Sequence, residues 1–265
     1  MADDTRIRAW RPAVPGVAEV LHARMTSHVY PMHTHESWTL LIVDNGVVRY
    51  DLHRREHYVP SQLVTLLPPH VPHNGRAATA AGFSKRVVYL DLSQVPVTLT
   101  GQAVDKPLMP DSLLYQRIHQ LHQVLDRPGE DFEAENRLAF IADRLCAHLD
   151  RRRKPSPPSA DAGVAHDLRD LIDASFCAKM TLRDASNALH VHPSHLVRVF
   201  SREFGISPHR YLTTRRVDRA RRLLLDGIPA SQAAAETGFY DQSHLTRHFI
   251  QVLGTTPAHY ARSRR

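Results

Sequence analysis

The sequence predicts an α+β chain of two domains. The first is a small β-barrel or sandwich with two appended helices. The second is all-α, with two helix-turn-helix units joined by a long helix. Three observations carry this reading. Short apolar runs punctuated by turn residues occupy the first 92 positions, and helical spacing replaces them after Pro110. A charged, proline-rich stretch at 151–163 interrupts the pattern. Finally, Ser194-His195-Leu196-Val197-Arg198-Val199-Phe200 recurs as Ser243-His244-Leu245-Thr246-Arg247-His248-Phe249. The same offset of 49 carries Gly205-Ile206-Ser207-Pro208 and Tyr211 onto Gly254-Thr255-Thr256-Pro257 and Tyr260.

In chain order, Val17–Met25, Trp38–Val43, Val47–His53, Leu63–Leu67 and Arg86–Leu92 read as strands. Asp44-Asn45-Gly46 reads as a hairpin turn between the second and third, because Asn-Gly accepts positive φ. Beyond Pro110, Leu113, Leu114, Ile118, Leu121, His122 and Leu125 recur at helical spacing. So do Leu138, Ile141, Ala142, Leu145 and Leu149. Pro128-Gly129 separates the two helices, expected over 111–126 and 133–150. Residues 1–150 then form the first domain. Residues 151–163 form a linker that charge extends and proline stiffens toward polyproline II. Residues 164–265 form the second domain.

That second domain reads as helical throughout. Leu168, Leu171 and Ile172 share one face of a helix over 164–176. Thr181 with Asp184 is a capping-box start for a short helix, Leu182–Leu189. Pro193 opens the next helix and Gly205 closes it. Ser207-Pro208 starts the long helix that ends at Gly227. A short helix over 231–237, the turn at Gly238, an Asp241 cap and a helix over 242–253 follow. Thr256-Pro257 starts the last one.

Composition narrows the function. Net charge is +7, unevenly spread. Residues 1–150 hold 15 basic and 17 acidic residues, net −2; residues 164–265 hold 15 and 9, net +6; the linker adds +3. A basic helical domain beside a near-neutral one suits a nucleic-acid reader with an attached sensor. No apolar run is long enough to span a membrane and no secretory signal opens the chain, so a cytoplasmic protein is expected. Cys146 and Cys177 lack motif spacing and are expected as reduced, buried thiols. No nucleophile or acid–base pair stands in a motif context. Catalysis and a cofactor are therefore not expected.

Each repeat is a short helix, a turn and a longer helix, which is helix-turn-helix spacing. Leu196 and Phe200 are four apart and face the core. Arg198 lies about 200° round the helix from either. Ser194, Arg198 and Arg202 then form an outer stripe, matched by Ser243, Arg247 and Gln251. Arginine pairs bidentately with guanine, discriminating by about 1–3 kcal/mol per good pair. Val197 and Thr246, one step round, are placed to touch a thymine methyl, and Gln242 to read adenine. A plain solvated face gives such a stripe once; its recurrence favours a double reader.

Residues 164–265 resemble the C-terminal DNA-binding region of the AraC/XylS family of bacterial transcription regulators. The resemblance covers both helix-turn-helix units, the helix from Arg215 to Leu225, and the stretch from Ala234 through Gly238-Phe239 to Gly254 and Pro257. It implies two reading helices in successive major-groove segments, about 34 Å apart. It places Ser194, Val197, Arg198, Gln242, Ser243, Thr246 and Arg247 at base-facing positions. Arg202 and the helix start at Asp241 would hold phosphates.

In the first domain, His33-Thr34-His35-Glu36 and Pro69-His70-Val71-Pro72-His73-Asn74 resemble the two motif regions of the cupin barrel. The implied first domain is thus cupin-like. Three imidazoles are a possible divalent-metal set. The cupin pattern, however, places a glutamate four or five residues after the second histidine, where Thr39 and Leu40 stand. Ligand-lining or structural histidines are therefore expected, without a metal. His33, His35, Trp38 and His73 are the expected effector-pocket residues. The helices at 111–126 and 133–150 resemble the family's dimerisation helices, with Leu114, Ile118, Leu121 and Leu125 as the seam; packing on the barrel requires the same spacing.

The function this implies is a sequence-specific regulator, by default an activator, with double-stranded DNA, a small-molecule effector and RNA polymerase as partners, and a homodimer as its assembly. The rival is a metal-dependent cupin enzyme with a DNA-binding tail. Non-specific DNA compaction is a third reading.

Overall fold

The computed structural model describes residues 6–26, 29–52, 55–150 and 158–262. Its strands are β1 (Arg6–Trp10), β2 (Val17–Met25), β3 (Val29–His33), β4 (Trp38–Gly46), β5 (Val48–Leu52), β6 (Arg55–Val59), β7 (Val64–Leu67), β8 (His73–Ala77), β9 (Phe83–Leu90) and β10 (Leu108–Met109). Its helices are α1 (Thr100–Asp105), α2 (Ser112–Leu125), α3 (Asp131–Leu149), α4 (Pro158–Ser175), α5 (Leu182–Leu189), α6 (Pro193–Phe204), α7 (Pro208–Leu225), α8 (Ala230–Glu236), α9 (Gln242–Leu253) and α10 (Pro257–Arg262). None is long and apolar enough to cross a membrane.

The described residues form two compact units. One contains everything up to Leu125 together with the second half of α3; the other contains 126–140 and the helices from α4 onward. This differs from a boundary at 150, because the first half of α3 packs with the helical unit. Phe132 and Ala139 of α3 share a core with Leu168, Leu196 and Phe200. The expected linker is shorter too: α4 already begins at Pro158, a residue suited to a first helical turn. Residues 151–157 lie outside the described residues.

In the first unit the strands pair antiparallel in two sheets. One runs β1-β2-β9-β4-β7-β10 and the other β3-β8-β5-β6. Met25, Val43 and Phe83 of the first meet Val48, Tyr50, Leu52 and Val59 of the second in a common core. The period of two is plain in β5, where Val48, Tyr50 and Leu52 are buried and Arg49 and Asp51 are not. The expected hairpin at Asp44-Asn45-Gly46 is not formed. β4 runs on to Gly46 and pairs with β9, Asn45 opposite Ser84 and Gly46 opposite Phe83. Gly46 still needs its positive φ of 78°, since a Cβ there would lie 2.2 Å from the Gly82 carbonyl oxygen. It carries the chain from one sheet into the other.

Leu114, Ile118, Leu121 and Leu125 of α2 are buried within the single chain. The apolar stripe is consumed by intrachain packing, so it is not an open dimer seam. Cys146 is buried as expected, but Cys177 is exposed.

In the second unit the offset of 49 holds in geometry. Phe200 meets Tyr211 edge-on at 5.6 Å, and Phe249 meets Tyr260 at 5.5 Å. Gly205 and Gly254 close α6 and α9 at φ 71° and 73°. Ser207 Oγ accepts from the Arg210 N–H, and Thr256 Oγ1 from the His259 N–H, each at 3.2 Å. Thr181 and Asp184 form the full capping box on α5.

Glu135 of α3 adds a further partner at that helix start. Its Oε2 accepts the Arg183 N–H at 3.1 Å. Burial, with Asp184 and Asp131 nearby, raises its carboxyl to about 7, against the backbone hydrogen bonds. The folded chain thus holds this proton where the unfolded chain, titrating near ~4.3, has lost it. That contribution to stability is complete below the unfolded value and fades as pH rises to about 7. Glu135→Gln is therefore expected to stabilise the chain by about 1–2 kcal/mol at pH 8 and to change nothing at pH 4. Urea unfolding at both pH values checks this; a loss of stability at pH 8 would contradict it.

Candidate nucleic-acid interface and ligand cavity

α5–α6 and α8–α9 are the two helix-turn-helix units, and α7 joins them. At 18 residues α7 is about 27 Å long. In α9, Gln242 and Ser243 are exposed and Thr246 and Arg247 half-buried. In α6, Arg202 is exposed and Arg198 half-buried. Two expected base contacts fail on geometry. Val197 is 0% exposed inside the core, and Ser194 is 5% exposed with its Oγ bonded to His192 Nδ1. The core face of α6 is wider than Leu196 and Phe200 alone suggest. Val197 belongs to it, and Ser194 lies one turn before Val197 on the same side.

One arginine of each helix, Arg202 of α6 and Arg247 of α9, is held by a buried carboxylate. Asp161 of α4, 3% exposed, accepts from Arg202 Nη2 at 2.9 Å and lies 3.0 Å from His195 Nε2. Glu130, 4% exposed, accepts from Arg247 Nη2 at 2.6 Å. It also lies 3.2 Å from His248 Nε2 and 3.6 Å from His244 Nε2. His195 and His244 are equivalent positions of the repeat. The tautomers match as well: His195 Nδ1 accepts from Arg198 and His244 Nδ1 from the Tyr240 N–H, so each Nε2 of the neutral ring carries the proton toward its carboxylate. Burial alone would raise the Glu130 carboxyl; the hydrogen bonds from His244 and His248 outweigh it and hold it below the usual range. Burial lowers His248. Sequence reasoning missed Glu130, Asp161 and His209, since nothing in their local pattern marks them.

The first unit contains a small cavity between its sheets, about 80 Å³ and partly open to solvent. Alternate residues of β9, Lys85, Val87 and Tyr89, line it, as do Thr39 and Leu41 of β4. His33, His35 and His73 come together at its wall, with ring centroids 4.6–5.2 Å apart. Trp38 does not join them. The pleat that turns Thr39 and Leu41 inward turns Trp38 away, and its Nε1 donates to the Val95 carbonyl at 2.9 Å. Glu36 is exposed and outside the lining.

His33 Nδ1 faces the Pro31 carbonyl at 2.7 Å and His73 Nδ1 the Val71 carbonyl at 3.0 Å. Carbonyls only accept, so each neutral ring keeps its proton on Nδ1 and offers an Nε2 lone pair. Burial, with His73, His33 and Lys85 nearby, lowers His35 to about 4; burial also lowers His73. Lys85, its ammonium 4.1 Å from the Tyr30 ring centroid, is lowered by burial to about 8. The buried Thr39 Oγ1 has no hydrogen-bond partner among the described residues. Among the described residues no carboxylate lines the cavity. It therefore presents lone pairs on imidazoles and a cation on Lys85.

Two family profiles match the chain. One, described as an AraC-like ligand binding domain, covers residues 15–141; the other, described as a helix-turn-helix domain, covers 185–263. Two curated relatives from Bacillus subtilis (strain 168) are named as uncharacterized HTH-type transcriptional regulators. YbfI is 23% identical over 82% of this chain and 81% of its own length. YisR is 24% identical over 83% and 84%. Among solved structures, the C-terminal domain of AraT, a response regulator from Geobacillus stearothermophilus, is 30% identical. That match spans 40% of this chain and 89% of the other, with a TM-score of 0.38.

Proposed function

The chain belongs to the AraC family of transcriptional regulators, which bind DNA and respond to a small-molecule effector, and from that premise we propose which residues do each task. α6 and α9 enter successive major-groove segments. Arg198, Gln242, Ser243, Thr246 and Arg247 face base edges, and Arg202 and the α9 start hold phosphate. The observation that carries this is the repeat itself: Arg198 and Arg247 are equivalent positions, and on each helix the equivalent histidine, His195 or His244, faces a buried acid. Arg247 reaches DNA by exchanging Glu130 for a guanine edge, so the free helix is held back. Activation through RNA polymerase, a homodimer and a cytoplasmic setting belong to the same proposal. Residues up to 125 with 141–150 act as the sensor, and residues 126–140 with 158–262 as the reader.

His33, His35 and His73 bind the effector in the cavity. Hydroxyl donors suit the two Nε2 lone pairs, and an anionic group suits Lys85. The effector class is thus a small hydroxylated acid. It shifts populations only by binding one arrangement of the chain more tightly. Thermal unfolding across a panel of sugar acids and hydroxycarboxylic acids tests this. One compound is expected to stabilise the chain, by about 2.7 kcal/mol at 100 times its Kd, and Lys85→Met is expected to abolish the shift. A shift that survives Lys85→Met, or none across the panel, would sink this assignment.

A second reading, a metal-dependent enzyme, is favoured by one observation: ligand atoms of His33, His35 and His73 lie within 4.8 Å of one another. Tight stoichiometric iron, manganese or zinc with turnover would support it.

A further inference from the structure

We propose that Glu130, His209 and His248 form a binding site for a divalent transition metal of the zinc class. The three come from separate elements: the turn before α3, the first turn of α7, and α9. Their ligand atoms lie within 4.8 Å of one another. His248 Nε2 is 3.2 Å from Glu130 Oε1, and His209 Nε2 is 3.9 Å from Glu130 Oε2. A tetrahedral ion with bonds of about 2.0–2.1 Å spaces its ligands roughly 3.3 Å apart. The pocket closes onto such an ion with shifts well under an ångström at Glu130 and a modest approach of His209 to His248.

The protons of His209 favour a cation. Its Nδ1 faces Glu133 Oε2 at 2.5 Å. Its Nε2 lies 3.2 Å from the Thr213 hydroxyl, which donates to it. In the neutral ring the proton sits on Nδ1, and the Nε2 lone pair, which accepts from Thr213, lies 3.9 Å from Glu130 Oε2. Two acceptor atoms thus stand near each other with no proton between them, too far apart for a hydrogen bond. The carboxylate behind the imidazole is the arrangement that orients metal-bound histidines. His244 is the nearby histidine that does not serve. Its Nδ1 accepts the Tyr240 N–H, which fixes the proton on the Nε2 facing Glu130. His248 also donates from Nε2 to Glu130 when no ion is bound, but among the described residues no such bond fixes its Nδ1, so the ring can move that proton to Nδ1 and give Nε2 to the ion. Two imidazole nitrogens with one carboxylate oxygen suit zinc. Arg247 shares Glu130 with the ion and is its electrostatic competitor.

The test is a calorimetric zinc titration of the full chain carrying His33→Asn and His73→Asn, which removes the other histidine cluster. No DNA is present, so the result is independent of the reading roles proposed above. One equivalent is expected to bind, with two imidazole nitrogens seen by X-ray absorption. Adding His209→Ala or His248→Gln is expected to weaken binding by more than the roughly 10–100-fold that loss of an outer-shell partner costs. Adding Arg247→Ala instead is expected to tighten it, because a competing cation is gone; a purely structural ion-pair network gives no such gain. Absence of zinc binding, binding that survives both histidine variants, absorption showing no imidazole, or weaker zinc in Arg247→Ala would each overturn the site.

Discussion

A Phe249→Ala chain is expected to lose about 3–5 kcal/mol of stability, and Phe200→Ala a similar amount. Both rings are fully buried. Phe249 fills a core with Val217, Leu224, Ala233, Ala234, Phe239 and Leu245. It also meets Tyr260 edge-on, a geometry that adds to area burial. Small neighbours such as Ala233 and Ala234 leave little side chain to fall into the space, so a cavity remains. Removing Phe249 also frees the helix that carries Arg247, and specific DNA affinity should fall with stability. Urea unfolding of both variants checks the figure. A loss below about 1 kcal/mol would mean that the site collapses onto the cavity and that the repeat's shared aromatic pair is dispensable.

The helical unit was legible in the sequence almost residue by residue, because its signals are local. Thr181, Asp241, Ser207, Gly205 and Gly254 each act within one turn of where they stand. The sheets were less so. β6 and β8, Arg-Glu-His-Tyr-Val and His-Asn-Gly-Arg-Ala, carry no apolar run. They become strands by pairing with β5 from either side, β6 from just beyond it in the chain and β8 from more than twenty residues away, and neither pairing leaves an apolar run as its signal. Asn45-Gly46 joins the two strands expected, but with positive φ at Gly46 alone, and β4 and β5 enter different sheets rather than pairing as a hairpin. At the site, the period of two needed an observed register before Trp38 could be assigned to the face away from His35. Arg198 and Arg247 were found from a helical wheel, yet the wheel assumed a narrow core, and Val197 and Ser194 fell on the wrong side of it. Glu130 and Asp161 hold their arginines across 117 and 41 residues of sequence. Spacing within a motif carries no trace of such contacts.

The second large effect concerns discrimination. Arg198→Ala and Arg247→Ala are each expected to cost about 1–3 kcal/mol against the preferred base pair and to flatten preference at one or two positions. Affinity for unrelated DNA should change little by comparison, since phosphate contacts carry no sequence information. The two variants should also affect different blocks of the site, because the arginines stand on different helices. Arg247→Ala carries an added consequence, the exposure of Glu130 to a buried setting without its guanidinium, so its folded stability must be measured alongside.

Selection of bound sites from a random DNA pool, with the intact chain at near-physiological salt, tests the central claim most directly. Two short enriched blocks about one helical turn apart are predicted, one degraded by Arg198→Ala and the other by Arg247→Ala. A single block, or enrichment absent while binding merely fades as salt rises, would contradict a two-headed reader and leave only sequence-independent attraction to the phosphates.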